Sequence, residues 1–146
     1  MSLETIAQEL LEATEASRTT IRFDVPDDPY LPVFAEAVRP GVRPIRDVRL
    51  EEVRQAPTFK FVNETHDVLV QGDMPTEQLQ GCSYLTDDFL VTAQMLAPIL
   101  DGERLIGLIS VHFIEGPREW TGEHVQALKD ACEASTALTP ELAPAA

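Results

Sequence analysis

Residues 91–114 read VTAQMLAPILDGERLIGLISVHFI, two apolar runs joined by Asp101-Gly102. An Asp-Gly step between β-rich runs is a strong hairpin signal, because a type I′ turn needs positive φ at both central residues and its twist matches the flanking strands. The stretch therefore predicts a long antiparallel hairpin. Its runs are apolar at nearly every position instead of alternating, so both faces are expected to be covered and the hairpin to lie centrally in its sheet. With a turn at Asp101-Gly102 or Gly102-Glu103, side-chain parity puts Ala93, Met95, Ala97 and Ile99 on one face with Ile106, Leu108, Ser110 and His112. Leu96, Pro98, Gly107, Ile109 and Val111 fall on the other. Gly107 permits close approach, which assigns this second face to packed helices.

Beyond the hairpin, Thr121 is placed to cap a final helix, with Glu123 in its first turn and Trp120 and Val125 as a hydrophobic staple. Val125, Leu128, Cys132 and Ser135 form its apolar stripe. The Pro/Ala-rich residues 139–146 have nothing to bury and read as a disordered tail, which leaves a single domain over residues 1–138. At the other end, Ser2 can cap an amphipathic helix ending near Ser17, with Leu3, Ile6 and Leu10 on one stripe. Residues 19–25, TTIRFDV, alternate Ile21, Phe23 and Val25 against Thr20, Arg22 and Asp24, the period of a strand with unlike faces. Pro26 to Pro29 breaks it, Pro32 to Val38 reads as a short helix ended by Pro40-Gly41, and Val42 to Ile45 as a short edge strand. Leu50 to Ala56 carries only a weak pattern. Pro57 is a good first helical residue for a helix reaching Thr65. Val68 to Gln71 reads as a brief strand and Tyr84 to Leu90 as one helical turn.

The 146 residues suffice for one domain with a sizeable core, and 44% hydrophobic with 25% charged residues is ordinary globular composition. The formal net charge of −14, from 25 acidic against 11 basic residues, opposes binding to nucleic acid or anionic lipid. No apolar run is long enough to span a bilayer and the Met-Ser-Leu-Glu start lacks a signal peptide's basic and apolar regions, so a cytoplasmic location is expected. Cys82 and Cys132 sit in no CxxC and near no paired His, so neither a zinc site nor a redox motif is indicated.

Taken together, the order of elements is α+β, with helices outside a mostly antiparallel sheet. The run APILDGERLIGLISVHFIEGPREWTGEHVQALKDACEAS (residues 97–135) resembles the C-terminal half of a GAF domain. The matching features are Pro98 in an apolar strand, the tight turn, Gly107 inside the next strand, and the Trp120-Thr121 helix start, while TTIRFDV resembles the first GAF strand. The resemblance implies a central sheet of about five or six strands, terminal helices on one face, and a ligand pocket with short helices and loops on the other. It also implies a sensory or regulatory role, pairing of two copies through the terminal helices, and a separate output protein. The chain has neither the Asn-Lys-Phe-Asp-Glu set of cyclic-nucleotide binders nor the surroundings expected of a bilin attachment site around Cys82.

On this reading the pocket-side candidates for holding a small organic molecule are Arg22, Tyr84, Met95, Ser110 and His112. Arg22 could clamp a carboxylate or phosphate, or form a surface pair with Asp24 or a Glu. A lone His in an apolar strand must find hydrogen-bond partners or touch a ligand, so His112 is a bonded core residue, a polar handle for an organic ligand, or a haem or metal ligand. His66 and His124 read as surface residues, and a protein-held metal would lack its second and third donors. Met95 would supply adaptable packing, and Tyr84 would line or lid the pocket. The sequence names no ligand or cofactor. Free methionine-(R)-sulfoxide reductases are stand-alone GAF-like domains of similar length, but their cysteine-bearing motif is absent, so a non-enzymatic sensor is expected. A dimerisation module with a vestigial pocket is the other reading.

Overall fold

The computed structural model describes residues 1–46, 48 and 51–139. The order is α1 (Leu3–Thr14), β1 (Arg18–Phe23), β2 (Val33–Val38), a short 3-10 helix at Glu51–Gln55, α2 (Pro57–Thr65), β3 (Leu69–Gln71), α3 (Ser83–Asp87), β4 (Ala93–Asp101), β5 (Arg104–Phe113) and α4 (Gly122–Ala137). One five-stranded sheet has the order β2-β1-β5-β4-β3, with every neighbouring pair antiparallel. The expected hairpin is present and central.

Local chemistry sets the helix ends. Ser2 Oγ accepts from the Thr5 amide at 3.1 Å to start α1, and Glu15 closes it in the left-handed region at φ 52. For α4, Thr121 Oγ1 accepts from the His124 amide while His124 Nδ1 accepts from the Thr121 amide, a reciprocal cap that satisfies two end donors. Pro57 opens α2 as expected, its missing N–H costing nothing at the first helical position.

Both terminal helices cover one sheet face, where Ile6, Leu10, Leu11 and Leu128 pack with Ile21, Phe23, Met95, Ile99, Ile109 and Val111. Each fully buried side chain of this size contributes about 1.5–3 kcal/mol relative to exposure. The opposite face is covered by Leu31, Val53, Phe59, Val62 and Cys82 against Leu69, Leu96 and Leu108.

Three expectations give way. Residues 33–38 form strand β2, not a helix: VFAEAV contains helix-favouring Ala and Glu, but its amides and carbonyls pair with β1, and tertiary pairing outweighs intrinsic propensity. Residues 42–45 form no strand. The hairpin turns at Gly102-Glu103, with positive φ at Gly102 (63°) and not at Glu103, the pattern of a type II′ turn instead of type I′. Of the proposed tail, residues 140–146 lie outside the described residues.

A β-bulge decides which hairpin residues face the site. Leu100 pairs with Leu105, but Ile99 pairs with Gly107, so Ile106 is the extra residue of β5. One inserted residue shifts the register of everything beyond it. Met95 consequently pairs with Val111 and sits under the helices at 0% exposure, not in a pocket. The residues that share a face with Ser110 and His112 are Leu96 and Gln94.

Candidate functional site

The sheet face away from α1 and α4 carries an unusual density of buried polar groups. In β1, Thr19, Ile21 and Phe23 point toward the helices, and the Thr19 hydroxyl donates to the Ala7 carbonyl at 2.7 Å. Alternation then sends Arg18, Thr20 and Arg22 to the other face. Register places Arg18 opposite His112, His112 opposite Gln94 and Gln94 opposite Gln71, one polar row across four strands. The next row runs Thr20, Ser110, Leu96, Leu69, and the third sets Arg22 beside Leu108 and Pro98. All three β1 residues are buried, Arg22 to 4% exposure.

The row is wired from both ends. Arg18 donates through Nε and Nη2 to the Arg43 carbonyl (3.0 and 2.7 Å) and through Nη1 to His112 Nδ1 at 3.0 Å. Since a guanidinium can only donate, Nδ1 is the acceptor and the imidazole proton resides on Nε2. Burial, reinforced by the charges of Arg18 and Arg22, holds the His112 pKa well below 6.5 and keeps the ring neutral. At the other end Gln71 Nε2 donates to the Leu79 carbonyl, which leaves Gln71 Oε1 to accept from Gln94 Nε2, both at 2.7 Å. That fixes the Gln94 amide with its buried oxygen left over. Three buried polar atoms of this face, Thr20 Oγ1, Gln94 Oε1 and His112 Nε2, have no protein partner among the described residues. Leaving such groups unpaired costs about 1–3 kcal/mol each.

Arg22, Ser110 and His112 border a small, partly open cavity of about 30 Å³, covered by Val53, Ala56, Thr58 and Phe59 and by Cys82 and Leu85. Thus three of the five candidates read from sequence meet at one cavity. Arg22 is no surface pair: its Nη1 donates to the Leu31 carbonyl at 2.8 Å, and Asp24 binds Arg54 at 2.6 Å instead. Burial lowers the Arg22 and Arg18 pKa values to about 10, so both stay charged at neutral pH. Tyr84 does not line the cavity; it lies on α3 at 46% exposure, with its neighbour Leu85 turned inward. Arg18, Thr20, Gln71, Gln94 and Cys82 were not foreseen. The available signal was polar residues at strand parity, Arg18/Thr20/Arg22 and Gln94, inside otherwise apolar strands.

A larger concavity of about 950 Å³ lies on the helix side, between α4 and the β3–β4 edge, with Val68, Val70, Val125 and Thr136 among its walls. It is an open groove whose charged residues Asp67, Lys129 and Glu133 are solvated, whereas the small cavity is bordered by His112 with its buried, unpaired Nε2. Cys82 and Cys132 belong to the clusters on opposite faces of the sheet, and burial pushes the Cys132 thiol up to about 12. They cannot act as a nucleophile and its resolving partner without crossing the sheet.

The family model described as GAF domain matches residues 2–135, and the chain belongs to the GAF domain family. Its fold is similar to the blue-light-absorbing form of the PixJ GAF domain of Thermosynechococcus elongatus (TM-score 0.76, 20% identity, covering 93% of this chain and 81% of that one). It is also similar to a structure of the cyanobacteriochrome receptor PixJ (0.78, 20%, 97% and 94%). The chromophore-binding domain of the Stigmatella aurantiaca bacteriophytochrome in its Pr state matches at 0.71 and 20%, covering 93% of this chain and 52% of that one. No curated protein sequence matches the chain significantly. Among the described residues no helix is long and apolar enough to cross a membrane.

Proposed function

We propose that this chain is a non-catalytic sensory or regulatory domain that encloses a small organic molecule between the Arg22–Ser110–His112 face and the roof formed by α2 and residues 82–85. The observation that carries the reading is the set of three unpaired buried atoms on this face, His112 Nε2 and Gln94 Oε1 in the polar row and Thr20 Oγ1 in the next, of which His112 borders the cavity. Natural interiors pair such groups, and a cluster left open is costly unless something completes it. Similarity to a chromophore-binding domain supports a bound small molecule, but a space of about 30 Å³ holds roughly one water, far from the ~300 Å³ of an ordinary organic-ligand site. A tetrapyrrole would need the roof displaced.

The expected result is that protein purified under native conditions and then denatured releases a small molecule detectable by mass spectrometry. A Soret band in the absorption spectrum would identify haem instead, and sulfoxide-dependent thiol oxidation would replace the sensor by an enzyme. A ligand-free extract, together with no response to any added metabolite, would overturn the reading. It would favour the dimerisation module with a vestigial pocket, for which the small size of the cavity speaks.

An output protein acting in response to the ligand, in the cytoplasm, completes the proposal. Pairing through the terminal helices finds little spare apolar surface on α1: Ile6, Leu10 and Leu11 are each 3% exposed within one chain, packed on the sheet and α4. Ile6→Glu therefore tests folding, not pairing. If two copies associate by other surfaces, sedimentation should show association strengthening as salt screens the −14 charge. A monomer at both low and high ionic strength refutes the dimer.

A further inference from the structure

The small cavity beside His112 is rich in donors and poor in acceptors. Because Arg18 holds Nδ1 as an acceptor, the buried and unpaired Nε2 of His112 carries the ring proton and can only donate. Thr58 and Ser110 bring two buried hydroxyls to the same wall, and their O–H bonds turn toward whatever acceptor is present. No carboxylate or amide side chain lines the space: apart from Arg22, the other lining residues are apolar side chains and Cys82. A water placed here would bring two donors of its own to a wall that already supplies donors.

The local charge has the same preference. In a chain of net charge −14, Arg18 and Arg22 are both buried on this face, and among the described residues neither forms an ion pair. Glu36, the carboxylate whose charge acts on both, already accepts from the Ile45 and Arg46 amides at 2.8 and 3.3 Å. The charges felt at His112 are those of Arg18 and Arg22, both cationic. Burying an anion is costly unless donors and opposite charge receive it, and this wall offers both. Size then selects among anions: about 30 Å³ takes one water-sized body, so a carboxylate, phosphate or sulfate is too large and a monatomic ion fits.

We propose that this cavity is a halide site, a single chloride held by His112 Nε2–H and the Thr58 and Ser110 hydroxyls in the field of Arg18 and Arg22. The site goes beyond the organic-ligand reading and does not rest on it, because it is the space as it stands with the roof in place. An organic molecule that displaced the roof would compete with the ion.

Chloride NMR of the full chain reads binding as line broadening, in a gluconate buffer of fixed ionic strength so that screening of the net charge stays constant. The expected result is saturable broadening that bromide displaces. Thr58→Val combined with Ser110→Ala removes two donors and should weaken the apparent chloride affinity about tenfold or more, whereas the exposed Tyr84→Ala should leave it unchanged. Circular dichroism checks that the double variant folds; if it does not, Ser110→Ala alone should still weaken binding roughly fivefold. Bromide soaked into a crystal should give an anomalous peak within hydrogen-bonding reach of His112 Nε2. Broadening that does not saturate, or that survives loss of the hydroxyls, overturns the site, as does a water at that position in the bromide-soaked crystal. A co-purified organic molecule with no halide response would overturn the halide alone, and saturable halide binding beside a ligand-free extract and no metabolite response would overturn the organic ligand alone.

Discussion

Gly107→Val is expected to destabilise the fold by about 3 kcal/mol or more, at the upper end of what overpacking costs. Gly107 lies in β5 between Phe23 of β1 and Ile99 of β4. A Cβ built there would collide with the backbone carbonyl oxygen of Arg22 and come within 3.0 Å of both Ile99 Cδ1 and Phe23 Cδ1. Two of those neighbours are buried side chains with no room to turn, and the third is backbone held in the β1–β5 ladder. Relief requires the strands to separate. The glycine does face the helix side, as its parity suggested, but its close neighbours are strands and not a helix. Ser110→Ala, by comparison, removes one oxygen beside the cavity and should cost less than about 1 kcal/mol. Urea denaturation of the two variants measures the contrast, and equal tolerance would show that the sheet does not close on Gly107 as described.

Acidification is the second large lever. His112 is 1% exposed and neutral, and the groups facing it are cationic: Arg18 at Nδ1 and Arg22 farther along β1. Its folded pKa lies below the unfolded value of 6.5, so between the two the unfolded chain binds the extra proton. Stability from this group is therefore complete above pH 6.5 and falls as the pH drops below it, by up to ~1.4 kcal/mol per pH unit. His112→Gln keeps a polar side chain without a proton to gain. The wild-type curve of unfolding free energy should slope between about pH 7 and pH 5, above the range in which most carboxylates titrate. That of the variant should be flatter by the contribution of one proton. Parallel curves would mean that His112 takes up a proton in the folded protein.

What the sequence alone determined are the features written in neighbouring residues. Ser2, Pro57 and Thr121 start α1, α2 and α4 because the first turn of a helix leaves amides that a local side chain, or a residue lacking an N–H, resolves. Asp101-Gly102 marks the hairpin, and the alternation of residues 19–25 puts Arg22 on the right face. These suffice for the α+β class and for a GAF-like order of elements. Tertiary structure alone decided the rest. Val33–Val38 became a strand because β1 offered it an edge, and Met95 left the candidate site because one bulged residue, Ile106, reverses parity along the hairpin. Period-two reasoning has no tolerance for an insertion of one. The polar row that ends at the site through His112, made of Arg18, His112, Gln94 and Gln71, is drawn from four strands and aligned only by their pairing. Which donor is orphaned follows from bonds to the Arg43 and Leu79 carbonyls. Those partners lie 25 and 8 residues from the side chains they fix, and local periodicity carries no information at such separations.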